Sequence, residues 1–245
     1  MLRICRPLAT ATLVMASFTA QATLQPRAGG MVYDSAQNLT WLSDWNYSLS
    51  SGYAAGNVGG TGSNSVEGTG RMGFDAAVTW ASNLVFGGYD DWRLPSTNPT
   101  ASSNCDESFN PGDGVPVQYF GFLCTGSEMG RMFYTEFGAA VASSVFSGTK
   151  PENLGRFSNI QSSPYWTGTA NAARAGSAWY FDMGFGSQYG FDTRAATMFA
   201  VAVRSGDVIA AVPEPQTYAM LGLGLTALTI VARRRTSKAF KPSVA

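Results

Sequence analysis

The stretch Gly88-Tyr89-Asp90-Asp91-Trp92-Arg93-Leu94-Pro95 places an arginine between a tryptophan and a Leu-Pro pair. Burial of a guanidinium in such a setting is costly unless a carboxylate pairs with it. We therefore expect Arg93 to form a structural ion pair that holds this block together. Asp90 and Asp91 are adjacent, and adjacent side chains of a strand point to opposite faces. This pair is therefore unsuited to glycoside hydrolysis, which needs two acids roughly 5 to 10 Å apart across a cleft.

Helical patterns lie on both sides of this block. Apolar residues recur at helical spacing over positions 74–85, and Gly87-Gly88 ends the pattern. A second helix is predicted to begin near Thr125, where Thr125 and Glu128 fit a capping box, and to end at Gly138. Its apolar stripe is interpreted as core rather than as a cofactor site, and it contains Met129, Met132, Phe133 and Phe137.

Short strands are predicted before the first helix. Residues 31–34 and 39–42 carry apolar and β-branched side chains, and the residues between them read as a turn. Residues 48–70 are rich in glycine and serine and are interpreted as a flexible loop.

Aromatic segments after the second helix predict an antiparallel sheet, with strands at 165–168, 179–182 and 199–203. Gly184-Phe185-Gly186 is interpreted as a hairpin turn. Strands at both ends with helices between them predict an α+β domain with an antiparallel sheet and two helices, whose ends lie close together.

Composition excludes several classes of function. The chain has 245 residues, of which 13% are charged and none is histidine. Without histidine there can be no Ser-His-Asp or Cys-His nucleophile system, no HExxH metal site and no histidine-ligated haem. Residues 23–211 carry nine basic and fifteen acidic side chains. That acidic balance argues against nucleic acid and sulfated polyanions as partners.

The first 22 residues are typical of a secretory signal peptide for the Sec route. Arg3 and Arg6 precede an uncharged apolar run, and Ala20 and Ala22 fit a small-x-small cleavage site. The alternative is a buried N-terminal helix. Cleavage after Ala22 would remove Cys5 and leave two cysteines in an exported chain.

Those two cysteines, Cys105 and Cys124, are expected to pair rather than to remain buried thiols. A disulfide closing this loop of roughly 20 residues would stabilise the fold by about 3 kcal/mol in the chain-entropy model.

The end of the chain predicts a membrane anchor. Residues 216–232 are uncharged and mostly apolar, and as a helix they would span about 25 Å. The cluster Arg233, Arg234 and Arg235 should stay in the cytoplasm, with residues 236–245 as a cytoplasmic tail. The region before the span would then be periplasmic and anchored in the inner membrane.

Val212, Pro213, Glu214 and Pro215, the apolar span and the arginine cluster follow one another in order. Residues 212–235 thereby resemble the PEP-CTERM sorting signal of Gram-negative bacteria. The resemblance implies an exosortase-type membrane transpeptidase as partner, release or transfer toward the cell surface, and an association with exopolysaccharide production.

A second resemblance covers residues 30–208. Its motifs are Asn38-Leu39-Thr40-Trp41, the helix leading into the Gly88–Pro95 block, Tyr165-Trp166-Thr167-Gly168-Thr169, Ala178-Trp179-Tyr180 and Val203-Arg204. This order is similar to the C-terminal domain of bacterial collagen-like adhesins, which belongs among the C-type-lectin-like folds. The most specific part is Asp91, Trp92, Arg93, Leu94 and Pro95. The resemblance implies a surface or adhesin module, and some family members bind glycans.

The calcium-dependent sugar site of animal C-type lectins is not expected here. Lys150-Pro151-Glu152-Asn153 only permutes the required Glu-Pro-Asn loop, and no Trp-Asn-Asp strand is present. Several acids could hold a structural Ca²⁺, although a solvated acidic loop is the simpler interpretation: Asp90, Asp91, Asp106, Glu107 and Asp113. We predict no catalytic residue, cofactor or metal ligand.

Aromatic side chains are the remaining candidates for a binding site. Tryptophans 41, 45, 92, 166 and 179 are interpreted as core, whereas Tyr47, Tyr53 and Tyr89 could stack on sugar rings. The resulting hypothesis is a non-catalytic exported protein that acts in adhesion or binds the exopolysaccharide matrix at the cell surface. A purely structural envelope protein and a carboxylate-dependent glycan-active enzyme remain as alternatives.

Overall fold

The computed structural model describes residues 24–100 and 104–208. The predicted signal peptide, the sorting signal with its apolar span and the predicted cytoplasmic tail lie outside the described residues. Within these two ranges no helix is long and apolar enough to cross a membrane.

Nine short strands carry most of the regular structure of the described residues. They are β1 (Leu24–Arg27), β2 (Met31–Asp34), β3 (Leu39–Leu42), β4 (Glu107–Phe109), β5 (Gln118–Phe120), β6 (Pro164–Ala170), β7 (Ser177–Asp182), β8 (Ser187–Thr193) and β9 (Val203–Ser205). Five α-helices lie within the same described ranges: α1 (Tyr47–Ser50), α2 (Tyr53–Gly56), α3 (Phe74–Ser82), α4 (Glu128–Arg131) and α5 (Pro151–Leu154). The domain is therefore sheet-dominated, with antiparallel pairing and few helices, as the α+β prediction required.

The first sheet joins the two ends of the domain. Its strand order is β1-β2-β3-β9, and every pair is antiparallel. Arg27 and Asp207 form a two-pronged ion pair beside it, with Nε–Oδ1 and Nη2–Oδ2 distances of 2.7 Å each. We call this contact the terminal ion pair. The prediction that the ends lie close together is confirmed.

A second antiparallel sheet has the order β6-β7-β8, and β4 and β5 form a separate hairpin. The turn between β7 and β8 covers residues 183–186, so the predicted hairpin turn is confirmed. The predicted strand at 199–203 is regular only from Val203 onward. Its first residue, Phe199, pairs with Tyr165 through a single bridge, and Met198, just before it, pairs with Met72 in the same way.

Both predicted helices are present, with corrections to their ends. The first, α3, stops at Ser82, earlier than the apolar pattern suggested. The second is α4 followed by a π-helix over Met132–Glu136. The predicted capping box is wrong because Ser127 is the N-cap and accepts a hydrogen bond from the Gly130 amide at 3.0 Å. The Glu128 carboxylate therefore does not take part in capping this helix and can bind another group.

The stretch 48–70 is more ordered than a flexible loop. It contains most of α1, all of α2 and a 3₁₀ turn at Gly62–Asn64. Two buried polar side chains attach it at its far end: Asn46 Nδ2 donates to Thr69 O at 3.1 Å, and Ser48 Oγ donates to Gly70 O at 3.0 Å. These bonds satisfy backbone carbonyls that would otherwise depend on water.

In the part of the chain that the structure describes, two hydrophobic clusters form the core. The first packs β1 to β3 against the π-helix, and Trp41 and Trp45 stack there with ring centroids 5.5 Å apart. The second surrounds α3 and includes Trp92 and Trp166. All five tryptophans and the four methionines and phenylalanines predicted as core are at most 2% exposed, which confirms those assignments.

Candidate functional site

The Arg93 guanidinium lies against Glu128. The sequence had predicted Glu128 to form a helix capping box with Thr125 instead. Nη1–Oε2 and Nη2–Oε1 are each 2.8 Å apart, and Glu128 Oε2 also accepts from the Ser96 amide at 2.6 Å. The hydrogen bonds that Arg93 donates to Glu128 raise the pKa of Arg93, while burial acts in the opposite direction. A bidentate arginine–carboxylate pair fixes orientation as well as charge. The expected structural ion pair is therefore present.

The same block is attached to the last strand of the first sheet. The Arg93 and Val203 backbones exchange two hydrogen bonds of 2.8 Å. Two residues earlier, Asp91 accepts from Arg204 Nε at 2.7 Å and from Nη2 at 3.0 Å, which lowers the pKa of Asp91. Residues 91–93 are thus held on β9 by backbone and side chains together.

Arg204 also contacts Tyr89, one of the three tyrosines predicted to stack on sugar rings. Its guanidinium carbon lies 3.9 Å from the centroid of the Tyr89 ring, a cation–π contact. One face of Tyr89 is therefore already covered, and Tyr89 lines neither of the depressions described below.

Trp92 supports one of the other two candidate tyrosines, Tyr47. Its Nε1 donates to Phe86 O at 3.2 Å, and its ring meets the Phe86 ring edge to face at 5.9 Å. Phe86 in turn packs edge to face on Tyr47 at 5.0 Å. This chain of rings leads from the buried Trp92 to the surface and holds the Tyr47 ring in place.

A shallow groove opens beside this ring. Its volume is about 220 Å³, and we call it the tyrosine groove; its lining residues are Tyr47, Ser51, Tyr53, Trp80, Asn83, Leu84 and Val85. Tyr47 and Tyr53 are half-buried, so part of each side chain is accessible to solvent. None of these lining residues of the described chain is charged. The groove combines apolar ring faces with neutral hydrogen-bonding groups, which suits a ligand that has apolar patches and hydroxyl groups.

A second depression of about 170 Å³ lies on the other side of α3. We call it the arginine depression, and it is lined by Val78, Ser82, Arg93, Leu94, Ser96 and Gly168. Gly168 is attached to the block because its amide donates to Pro95 O at 2.7 Å. A Cβ at Gly168 would lie 3.4 Å from Leu94 Cβ, so a larger side chain would project into the space beside Leu94.

The predicted acidic candidates are dispersed. Asp91 is paired with Arg204, and Asp106 Oδ1 accepts from the Phe122 amide at 2.6 Å. Across residues 24–100 and 104–208 no group of three acidic or cysteine side chains could hold a metal ion. Residues 150–153 are used structurally, since Lys150 Nζ donates to Thr135 O and Asn153 Nδ2 donates to Glu136 O.

One carboxylate with a raised pKa lies in the core rather than in a groove. Glu136 is 3% exposed, and burial raises its pKa, with the nearby Asp34 acting in the same direction. Arg131 Nη2 lies 3.6 Å from Glu136 Oε1 and opposes that shift. No carboxylate lines the tyrosine groove or the arginine depression.

Cys105 and Cys124 form a disulfide, as expected for an exported chain. The bond joins the segment before β4 to the residues that precede α4. It therefore ties the β4–β5 hairpin to the helix that carries Glu128.

The sequence predicted only some of the residues that line the tyrosine groove. Tyr47 and Tyr53 were predicted as binding candidates, but Trp80 and Asn83, which also line the groove, were covered only by the predicted helical pattern over 74–85. Asn83 follows α3 directly, and its position on the groove depends on where that helix stops.

Two family models match the chain. One, described as the Lcl C-terminal domain, matches residues 30–204, and the other, described as the PEP-CTERM protein-sorting motif, matches residues 211–235. No curated protein and no solved structure matches the chain significantly.

Proposed function

Because this chain belongs to the Lcl C-terminal domain family, we propose that it is a non-catalytic adhesion module that binds neutral glycans of the exopolysaccharide matrix. In this proposal the domain is a C-type-lectin-like fold. The sheet that joins both ends of the domain and the separate β6-β7-β8 sheet are compatible with that assignment.

The observation that carries the proposal is the tyrosine groove. Sugar rings have apolar faces that stack on aromatic side chains and hydroxyl groups that need neutral donors and acceptors. Tyr47 and Tyr53 supply the first, and Asn83 and Ser51 supply the second. The absence of a charged group among the lining residues favours neutral over anionic glycans, in agreement with the acidic balance of residues 23–211.

The sorting motif gives the cellular setting. A PEP-CTERM motif marks an exported, membrane-associated protein that is sorted to the envelope, with an exosortase as its processing partner. We propose further that residues 216–232 first hold the chain in the inner membrane with the domain in the periplasm. Processing would then place the domain at the cell surface or in the matrix.

The test is co-sedimentation of the full chain, purified in detergent, with exopolysaccharide from its own host. We expect saturable binding that is unchanged when calcium is replaced by a chelator, because the described residues form no metal-binding cluster. Tyr53→Ala should weaken binding at least tenfold, whereas Tyr119→Ala, a half-buried tyrosine outside both depressions, should not. Absence of saturable binding would favour a purely structural role, and release of reducing ends would favour an enzyme.

A further inference from the structure

We propose that the tyrosine groove selects a sugar that carries an acetamido group, and that this group lies against Asn83, Leu84 and Val85. This inference rests on the proposed function and adds to it the chemical class of sugar that the groove recognises.

Three consecutive residues give the groove an apolar wall beside an amide. Asn83, Leu84 and Val85 all line it, directly after the end of α3. Val85 is 73% exposed, the largest exposed fraction among the large hydrophobic side chains of the described residues. A ligand methyl group placed here would remove apolar surface from water, whereas a hydroxyl group would lose its own hydration. The wall therefore favours a sugar with a methyl-bearing substituent over one with hydroxyl groups alone.

The Asn83 side chain makes that substituent an amide. Asn83 is exposed, and within residues 24–100 and 104–208 only its backbone forms hydrogen bonds. Its carboxamide can therefore donate to, or accept from, a ligand. An acetamido group is a trans amide, so its N–H and its carbonyl point in opposite directions. One of them can pair with Asn83, and the other is left for a hydroxyl group, which Ser51, Tyr47 and Tyr53 supply.

Both ends of this wall are fixed by backbone hydrogen bonds. The Leu84 amide donates to Ala81 O at 3.2 Å, and Phe86 and Tyr89 exchange two bonds of 2.9 and 3.1 Å. The turn between Phe86 and Tyr89 consists of Gly87 and Gly88, whose φ angles of +63° and +86° are those that such a two-residue turn requires. The wall is therefore formed before a ligand arrives, which lowers the entropic cost of binding.

A stacking ring lies close to the same wall. Phe86 directly follows Val85 and packs edge to face on Tyr47, with ring centroids 5.0 Å apart. The groove that Tyr47 and Val85 both line has a volume of about 220 Å³, below the roughly 300 Å³ of ordinary small-molecule pockets. One sugar ring with its substituent can therefore contact both side chains.

The charge of the lining excludes other nitrogen-containing or acidic sugars. A free amino sugar would bring a positive charge, and no lining residue is a carboxylate. A uronic acid would bring a negative charge, and no lining residue is a cation. Desolvation of either charge without a partner is costly. The acetamido group provides hydrogen bonds without a charge.

The test is saturation-transfer difference NMR of the full chain in detergent, titrated with the methyl glycosides of N-acetylglucosamine, glucose and rhamnose. We expect the N-acetylglucosaminide to bind about tenfold more tightly than the glucoside, because it adds a buried methyl group and an amide hydrogen bond. Its acetyl methyl protons should receive more saturation than its ring protons. The rhamnoside has a methyl group but no amide and should bind more weakly than the N-acetylglucosaminide.

Variants of the wall separate the two contributions. Asn83→Ala should reduce the preference for the N-acetylglucosaminide to about threefold, the share of the methyl group, and leave the affinity for the glucoside unchanged. Asn64→Ala is the matched control, because Asn64 is also exposed at the end of a helical turn but lines neither depression.

Val85→Ser should also reduce the preference without changing the affinity for the glucoside. Its matched control is Val58→Ser, since Val58 is 63% exposed and lines neither depression. Tyr53→Ala should weaken the binding of both glycosides, because it removes a stacking ring.

The two proposals fail in different ways. Suppose that exopolysaccharide binds saturably but the glucoside or the rhamnoside binds as tightly as the N-acetylglucosaminide, or that Asn83→Ala and Val85→Ser leave the preference intact. The selection of an acetamido group is then overturned while glycan binding stands. If neither the polymer nor any methyl glycoside binds, both proposals are wrong.

Discussion

Glu128 satisfies three donors at once, two from Arg93 and one from the Ser96 backbone. Its side chain is 15% exposed and that of Arg93 is 38% exposed, so the pair is intermediate between a surface and a buried ion pair. Exposed pairs contribute about 0–1 kcal/mol, and breaking a buried pair costs about 3–5 kcal/mol.

We expect Glu128→Gln to lower the free energy of unfolding by about 1–2 kcal/mol, which lies between the values for exposed and for buried ion pairs. The measurement is urea denaturation of the domain, residues 24–208, which contains both hydrophobic clusters. Glu152→Gln is the control, because Glu152 is exposed and should change stability by less than about 0.5 kcal/mol. Equal midpoints for the two variants would contradict a structural role of the pair.

The terminal ion pair predicts how stability responds to acid. Hydrogen bonds from Arg27 lower the pKa of Asp207 in the folded state. The unfolded chain therefore binds more protons than the folded chain as the pH falls through the ordinary aspartate range. The stabilisation is complete above the unfolded pKa and is lost as the pH falls through the folded pKa.

We expect Asp207→Asn to be less stable than the wild type at pH 7 and to lose less additional stability between about pH 5 and 3. Thermal unfolding across that range measures the difference. Glu136 contributes with the opposite sign, since its raised pKa makes its burial less costly as the pH falls, and it is present in both proteins. If the curves of the two proteins are parallel in pH, Asp207 does not titrate with a lowered pKa.

At the scale of elements, α1 depends on a glycine more than twenty residues away. Gly70 has φ +90°, and a Cβ there would collide with Asn46 Oδ1 and lie 2.9 Å from Ser48 Oγ. Those two side chains attach the start of α1, which carries Tyr47. Residue 70 therefore influences the tyrosine groove from outside it.

We expect Gly70→Ala to destabilise the domain by about 2 kcal/mol or more, through both backbone strain and displacement of α1. Binding to exopolysaccharide should weaken as well. Gly56→Ala is the matched control, because nothing lies within 4 Å of a Cβ there and its φ is ordinary. It should be neutral or slightly stabilising. Similar urea midpoints for both variants would show that Gly70 is not a constrained position.

A comparison of the elements shows why some of them could be predicted from the sequence and others could not. The strands at 31–34 and 39–42 and helix α3 are local patterns of alternation or helical spacing. The strands form where predicted, and α3 begins where predicted but stops earlier, at Ser82. The stretch 48–70 owes its order to side chains of Asn46 and Ser48 that reach across many residues, which composition does not reveal. The partial strand at 199–203 is likewise defined by single bridges to distant segments.

The candidate site shows the same difference between features that depend on the local sequence and features that depend on distant residues. The need of Arg93 for a carboxylate follows from burial cost and could be predicted. Of the three candidate tyrosines, Tyr47 and Tyr53 line the groove and Tyr89 does not. The partner of Arg93, Glu128, could not be predicted, because a local capping pattern competed for it and Ser127 caps the helix instead. The neighbours of Tyr47 in the groove are set by where α3 ends, and helix ends are the least certain part of a periodicity argument.

For the whole molecule, the sorting motif at residues 211–235 predicts a processing step separable from folding. We expect the triple variant Pro213→Ala, Glu214→Ala and Pro215→Ala to accumulate unprocessed in the membrane fraction while keeping the unfolding midpoint of the domain. Fractionation of host cells with intact-mass measurement of the chain checks this. A double variant of Lys238 and Lys241 to alanine, beyond the motif, should be processed normally; equal processing of both variants would exclude recognition of this signature.

The terminal ion pair has a mechanical consequence. The sorting motif begins just beyond the last described residue, so a pull on that end enters the domain near Asp207. Asp207 is bonded to Arg27 of β1, and Arg27 also contacts Gln25 and the Tyr33 ring. Part of the force is therefore carried by the ion pair to β1. The backbone hydrogen bonds between β9 and β3 carry the whole force only after this ion pair has broken. In a single-molecule pulling experiment, this ion pair would set the force at which the domain begins to open.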